Sequence, residues 1–194
     1  MLTRNSRGYT IIELLVVIVI TTAIAFPLTS FAIKGWTSYT FLEAQSSTSL
    51  ELNILANRIA KVVRGATSVD TAQANTLIVY GYFSPQDTTI KKIRYFISGT
   101  NLNIGVTPPG GTAPNYTYDP ATEVVTTTRI DLVMSGNSLF TYYDDAGNQL
   151  TGAFATSQVK NIGIYLGANP NVKQVPKPIS LTTRVTLRNL KTNL

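Results

Sequence analysis

Residues 7–20 read RGYTIIELLVVIVI, and the apolar run that they open continues as TTAIAFPLTSFAI to Ile33. The eight residues up to Gly8, MLTRNSRG, are polar and carry Arg4 and Arg7, whereas the run that follows is interrupted only by Glu13, scattered Thr and Ser, and Pro27. A basic flank ahead of an apolar helix is the arrangement of a membrane element with its basic end inside. From Leu14 to Ile33 an α-helix rises ~30 Å, enough to cross a bilayer core. Pro27 removes one backbone donor and crowds the preceding turn, so a kink or local opening is expected there. Glu13 is the odd residue. A carboxylate in such a segment costs roughly 2.5–3.5 kcal/mol near the bilayer centre and less toward the interface, and it marks a functional position by default.

Beyond Lys34 the pattern changes. Leu52, Leu55, Ala56, Ile59, Val62 and Val63 recur at three- and four-residue steps with Asn53, Asn57, Arg58, Lys61 and Arg64 between them, the signature of an amphipathic helix with one face to bury. Gly65 is placed to close it. After it come short β-rich runs at residues 76–83, 91–98, 101–106, 128–134, 138–143, 159–167 and 179–189. Ser98-Gly99-Thr100-Asn101 predicts a tight hairpin, Asp144 to Asn148 a longer one, and Thr107 to Asp119 a Pro- and Gly-rich loop. The expected fold class is α+β: a long N-terminal helix, membrane half plus amphipathic half, packed on an antiparallel β-sheet head. The expected division is 1–8 as a leader, 9–66 as the helix with its first half in the membrane, and 67–194 as the β-rich head.

Composition narrows the chemistry. The 194 residues include no Cys and no His, which removes disulfides, thiolate or imidazole zinc sites and every nucleophile–histidine pair. No catalytic, cofactor-binding or metal-ligating residue is therefore assigned, and an enzyme is not expected. Charged residues are only 13%, below the roughly 25% of a typical soluble domain, and the net charge of +6 is mildly basic. That balance is compatible with an anionic partner without identifying one.

At Arg7-Gly8-Tyr9 followed by Glu13 the chain resembles type IV pilins and pseudopilins, whose short basic leader ends in Gly and whose mature chain carries Glu at its fifth residue. The resemblance implies cleavage between Gly8 and Tyr9 by a prepilin peptidase, N-methylation of Tyr9, and pairing of Glu13 with the amino terminus of a neighbouring subunit during assembly. Tyr9 departs from the Phe or Met usual at the first mature position. The head is similar to minor pilins of the PilW-like group, and more distantly to the ComGF and GspJ types, through WTSY, IRYFI-GTNL, LFTYYDDAGNQL and TRVTLRN. What this implies is a structural subunit that primes, caps or decorates a pilus or secretion pseudopilus, with other pilin subunits, the peptidase and the membrane as partners. The precursor would cross the cytoplasmic membrane once with its head outside, and reach the cell surface after assembly.

Several plainer readings compete. Ala23-Ile24-Ala25 fits the cleavage site of an ordinary secretory signal, but Glu13 is awkward in such an apolar core. A simple anchor for a surface adhesin explains the span and leaves Glu13 without a task. Lys91, Lys92 and Arg94 beside Tyr95 and Phe96 form a basic–aromatic run, the basis for a DNA-uptake alternative, although the run also alternates as any half-buried strand does. Asp144 and Asp145 lack the ligand spacing of a calcium loop, so a solvated turn is the better reading. Trp36, Tyr39 and Phe41 read as an interfacial belt.

Overall fold

The computed structural model describes residues 8–113, 115–170 and 178–188, so residues 1–7 of the expected leader and Asn189 of the last expected strand lie outside it. The chain divides into two compact units, Met1–Glu43 and Ala44–Leu194. One helix, α1 (Ile11–Arg64), supplies most of the first unit and opens the second. It runs unbroken through Pro27, whose fixed φ is compatible with a helix, so the local opening expected there is absent although one backbone hydrogen bond is lost.

In the second unit α1 buries Leu52, Leu55, Ala56, Ile59, Val62 and Val63, the stripe legible in the sequence, together with Ala60. Gly65 ends it, donating its N–H to the carbonyls of Lys61 and Val62. Among the described residues nine strands follow: β1 (Ser68–Gln73), β2 (Thr76–Gly81), β3 (Lys91–Ser98), β4 (Asn101–Thr107), β5 (Val124–Asp131), β6 (Phe140–Tyr143), β7 (Gln149–Leu150), β8 (Asn161–Ala168) and β9 (Ile179–Thr186). They form two antiparallel sheets, one ordered β1-β2-β3-β4-β5 and one ordered β7-β6-β8-β9. The single sheet expected from the sequence is thus two sheets. Its strands at 91–98 and 101–106 lie where expected, β5 lies four residues earlier than its predicted start, and β1 and β7 were not foreseen.

The core follows from alternation. Leu77, Tyr95 and Ile104 sit opposite one another across β2, β3 and β4, and all three are buried. In the other sheet Tyr142, Ile162 and Val185 make the equivalent row across β6, β8 and β9. The two sheets are joined through backbone: Val133 N–H donates to the Gly167 carbonyl at 2.7 Å and Phe140 N–H to the Ala74 carbonyl at 2.9 Å. A Cβ at position 167 would collide with the Val133 carbonyl oxygen, so the junction requires glycine. The β3–β4 hairpin turns on Gly99 at φ 64°, the first of its two loop residues, as a II′ turn demands.

Two buried tyrosines in this core give opposite expectations. Tyr142 Oη donates to the Gln73 carbonyl at 2.7 Å, whereas Tyr95 Oη is buried with no hydrogen-bond partner among the described residues. Burial pushes both phenols well above their ordinary pKa. Tyr142→Phe is expected to lower stability by about 1 kcal/mol, and Tyr95→Phe to leave it unchanged or raise it by a similar amount. Denaturation midpoints of the two variants, read side by side, check the opposite signs.

Candidate assembly site

The helix that carries Glu13 is started by Thr10. Its Oγ1 accepts the Glu13 N–H at 3.3 Å and its carbonyl accepts the Leu14 N–H at 3.2 Å, which makes Thr10 the N-cap and Glu13 the third helical residue. Thr-x-x-Glu is the capping-box spacing, so the signal was present in the sequence and went unread. Glu13 therefore sits in the first turn, where the helix dipole favours an anion. Gly8 and Tyr9 precede the cap, both exposed, with Tyr9 at 83%. The folded chain thus presents the Gly8–Tyr9 peptide bond outside secondary structure, next to a fixed helix start.

From Leu14 to Ile20 seven consecutive apolar side chains, two full turns, are each 50–58% exposed. Consecutive residues point in all directions around a helix, so this segment is apolar on every face and covered on none. Only lipid or other helices satisfy such a surface in water-facing biology. Three threonine hydroxyls further along the apolar run are internally satisfied: Thr21 Oγ1 donates to the Val17 carbonyl at 2.7 Å, Thr22 to Ile18 at 2.9 Å, and Thr29 to Ala25 at 3.0 Å. That removes the polar cost of placing threonine in hydrocarbon. By length and composition α1 is able to cross a membrane.

Residues 3–29 match the family model described as the prokaryotic N-terminal methylation motif. This supports a type IV pilin-like protein. The match spans most of the expected leader, the Gly8–Tyr9 junction, Glu13 and most of the apolar run, and it fits a membrane-anchored precursor that a prepilin peptidase processes and that assembles with other pilins. No curated protein matches the chain.

The basic–aromatic run on β3 behaves differently from its sequence appearance. Lys91 Nζ lies 2.7 Å from Asp87, Lys92 Nζ 3.3 Å from Asp70, and Arg94 makes a two-pronged contact with Glu123, Nε to Oε1 at 2.8 Å and Nη2 to Oε2 at 2.5 Å. Each cation has its own carboxylate, and Tyr95 points into the core. Gly105 makes room for the last pair, since a Cβ there would overlap the Glu123 carboxylate. The strand does not offer a free basic stripe. At the other candidate turn, Asp144 spends its carboxylate on Asn148, accepting the backbone N–H at 2.8 Å and the side-chain amide at 3.0 Å. Those bonds hold its carboxyl below the usual range and close the turn on itself.

Proposed function

We propose that the chain is a minor pilin or pseudopilin, a structural subunit cleaved between Gly8 and Tyr9, methylated on the new amino group of Tyr9, and recruited through Glu13. The observation that carries this reading is a carboxylate fixed in the first turn of a helix whose apolar surface is uncovered on every side. A helix of that kind leaves the bilayer only for an equally apolar surround, which neighbouring N-terminal helices provide. A carboxylate carried into that surround needs a cation, and cleavage creates one: the amino group of Tyr9, four residues away along the chain and free to face a neighbour. An isolated anchor needs neither. A priming, capping or decorating role, rather than that of a bulk shaft subunit, rests on the likeness of the head to PilW-like sequences. The head faces outside the cytoplasmic membrane in the precursor and lies on the surface once assembled.

Processing is tested at Gly8. A peptidase that reads glycine at the cut is expected to reject the β-branched Gly8→Val, leaving the precursor intact in cells while the wild type gives a mature chain beginning at Tyr9, heavier by one methyl group. Intact-mass spectrometry separates these products from the secretory-signal outcome, a chain beginning at Phe26. Normal trimming of Gly8→Val would remove the peptidase from the account.

A further inference from the structure

The edge of a sheet is a row of backbone donors and acceptors facing outward, and it recruits another strand unless something guards it. Among the described residues the two sheets have four edges, β1, β5, β7 and β9. β1 is bulged between Val69 and Thr71 and is met by β6, whose Phe140 N–H reaches the Ala74 carbonyl and whose Tyr142 Oη reaches that of Gln73. β7 is two residues long, and β9 follows Pro178 and carries the exposed Arg184. β5 lacks such guards over Val124–Thr128, five β-branched residues in a row without a charge. Its register against β4 shifts only beyond Thr127, and no backbone group of the five bonds outside β4 among the described residues. Val124 is 66% and Val125 47% exposed, and Glu123, the nearest charge on that side, is spent on Arg94.

An edge that has only to stay in water gains nothing from two exposed valines, and one lysine among them would guard it. We propose that β5 pairs antiparallel with β5 of a second copy of this chain, joining the two five-stranded sheets through Val124–Thr128. The second copy is favoured because the run complements itself. In an antiparallel edge every second residue turns its N–H and C=O outward, so opposed residues must share parity and the two-fold axis passes through a residue. Centred on Thr126, the axis opposes Val124 with Thr128 and Val125 with Thr127. Every pair is then β-branched on both sides, with Thr126 opposite itself, and no charge meets a like charge. A foreign strand would need the same uncharged, β-branched pattern, which the second copy already holds. Five pairs span ~17 Å, a contact of the small, transient class, so the pair dissociates on dilution. A two-fold contact also closes at two copies and makes no use of α1, which separates it from assembly through Glu13.

The chain has no Cys, so one introduced cysteine is its sole thiol. Thr126→Cys in the full chain, in detergent micelles under mild oxidation, is expected to give a disulfide-linked dimer on a non-reducing gel. Opposed Cα atoms lie about 4.5–5.5 Å apart across antiparallel strands, a distance that a disulfide spans. Val124→Cys and Thr128→Cys are each expected to stay monomeric alone, their own copies lying about 13 Å apart, and to cross-link when mixed. Thr182→Cys, exposed on β9, reports chance encounters within a micelle. Val125→Lys added to Thr126→Cys is expected to abolish the dimer, and Glu13→Gln in the same background to leave it, so this contact and the assembly reading fail separately. Cross-linking of Thr126→Cys no greater than that of Thr182→Cys overturns the pairing. Val124→Cys alone cross-linking as well as the mixture overturns the two-fold register. In cells, a Thr126→Cys adduct with another protein and none with this chain assigns the edge to a foreign strand and overturns self-pairing.

Discussion

A fragment beginning at Thr67 is expected to aggregate, whereas Ala44–Leu194 is expected to fold as a soluble monomer with mixed helix and strand. The longer fragment is a compact unit of the chain, and it keeps the whole stripe from Leu52 to Val63. The shorter one loses that stripe and leaves Leu77, Tyr95 and Ile104 facing water. Leu52, Ile59 and Val63 are fully buried, and the three together contribute about 5–9 kcal/mol at typical values for burying such side chains. A domain is stable by only about 5–15 kcal/mol in total, so their loss removes most or all of that margin. Size-exclusion chromatography and far-ultraviolet circular dichroism of the two fragments decide the matter. A folded monomer starting at Thr67 would show that α1 is an attachment to the head and no part of its core.

Periodicity explains which parts of the fold could be read in advance. The stripe in α1 and the alternation in Lys91–Ser98 each bury one face, and a one-sided surface writes itself into the sequence at 3.6 or 2 residues. β1, SVDTAQ, buries only Val69 and is held mainly by pairing with β2, so its side chains carry no such pattern. β5 opens with Val124 and Val125, both exposed at the edge of the five-stranded sheet. Apolar content further along pulled its predicted start four residues late. The division into two sheets depends on backbone bonds such as Val133 to Gly167, which no local pattern encodes.

The candidate site was legible for a different reason. Glu13 stands out because its surroundings are chemically uniform, and one carboxylate in an apolar run needs no neighbour to be noticed. Thr10 was missed because threonine is common in this segment, and only the three-residue spacing to Glu13 reveals a cap. The β3 run misled in the other direction. Its cations are visible in the sequence, but Asp70 and Glu123 come from 22 and 29 residues away and cancel Lys92 and Arg94 only once the sheet forms.

Glu13→Gln is expected to lower incorporation of this subunit into filaments by about tenfold or more, while leaving its membrane insertion intact or improved. The substitution is informative because of Thr10. Thr10 Oγ1 accepts the backbone N–H of residue 13, which glutamine keeps, so the helix start is retained and what is removed is the charge. A simple anchor, in which Glu13 only completes the first turn, therefore predicts no loss. If the carboxylate meets the amino group of Tyr9 on a neighbour, the variant leaves that cation facing an apolar helix bundle without a counter-charge. Removing one partner of a sheltered pair is strongly destabilising for that reason, even where the intact pair adds little. Insertion responds with the opposite sign, since the isolated precursor no longer carries an unpaired anion into lipid. Surface filaments sheared from cells carrying Glu13→Gln, with the subunit quantified in filament and membrane fractions against wild type, separate the two accounts. Equal amounts in the filament fraction would end the assembly role of Glu13, even with the leader still removed after Gly8.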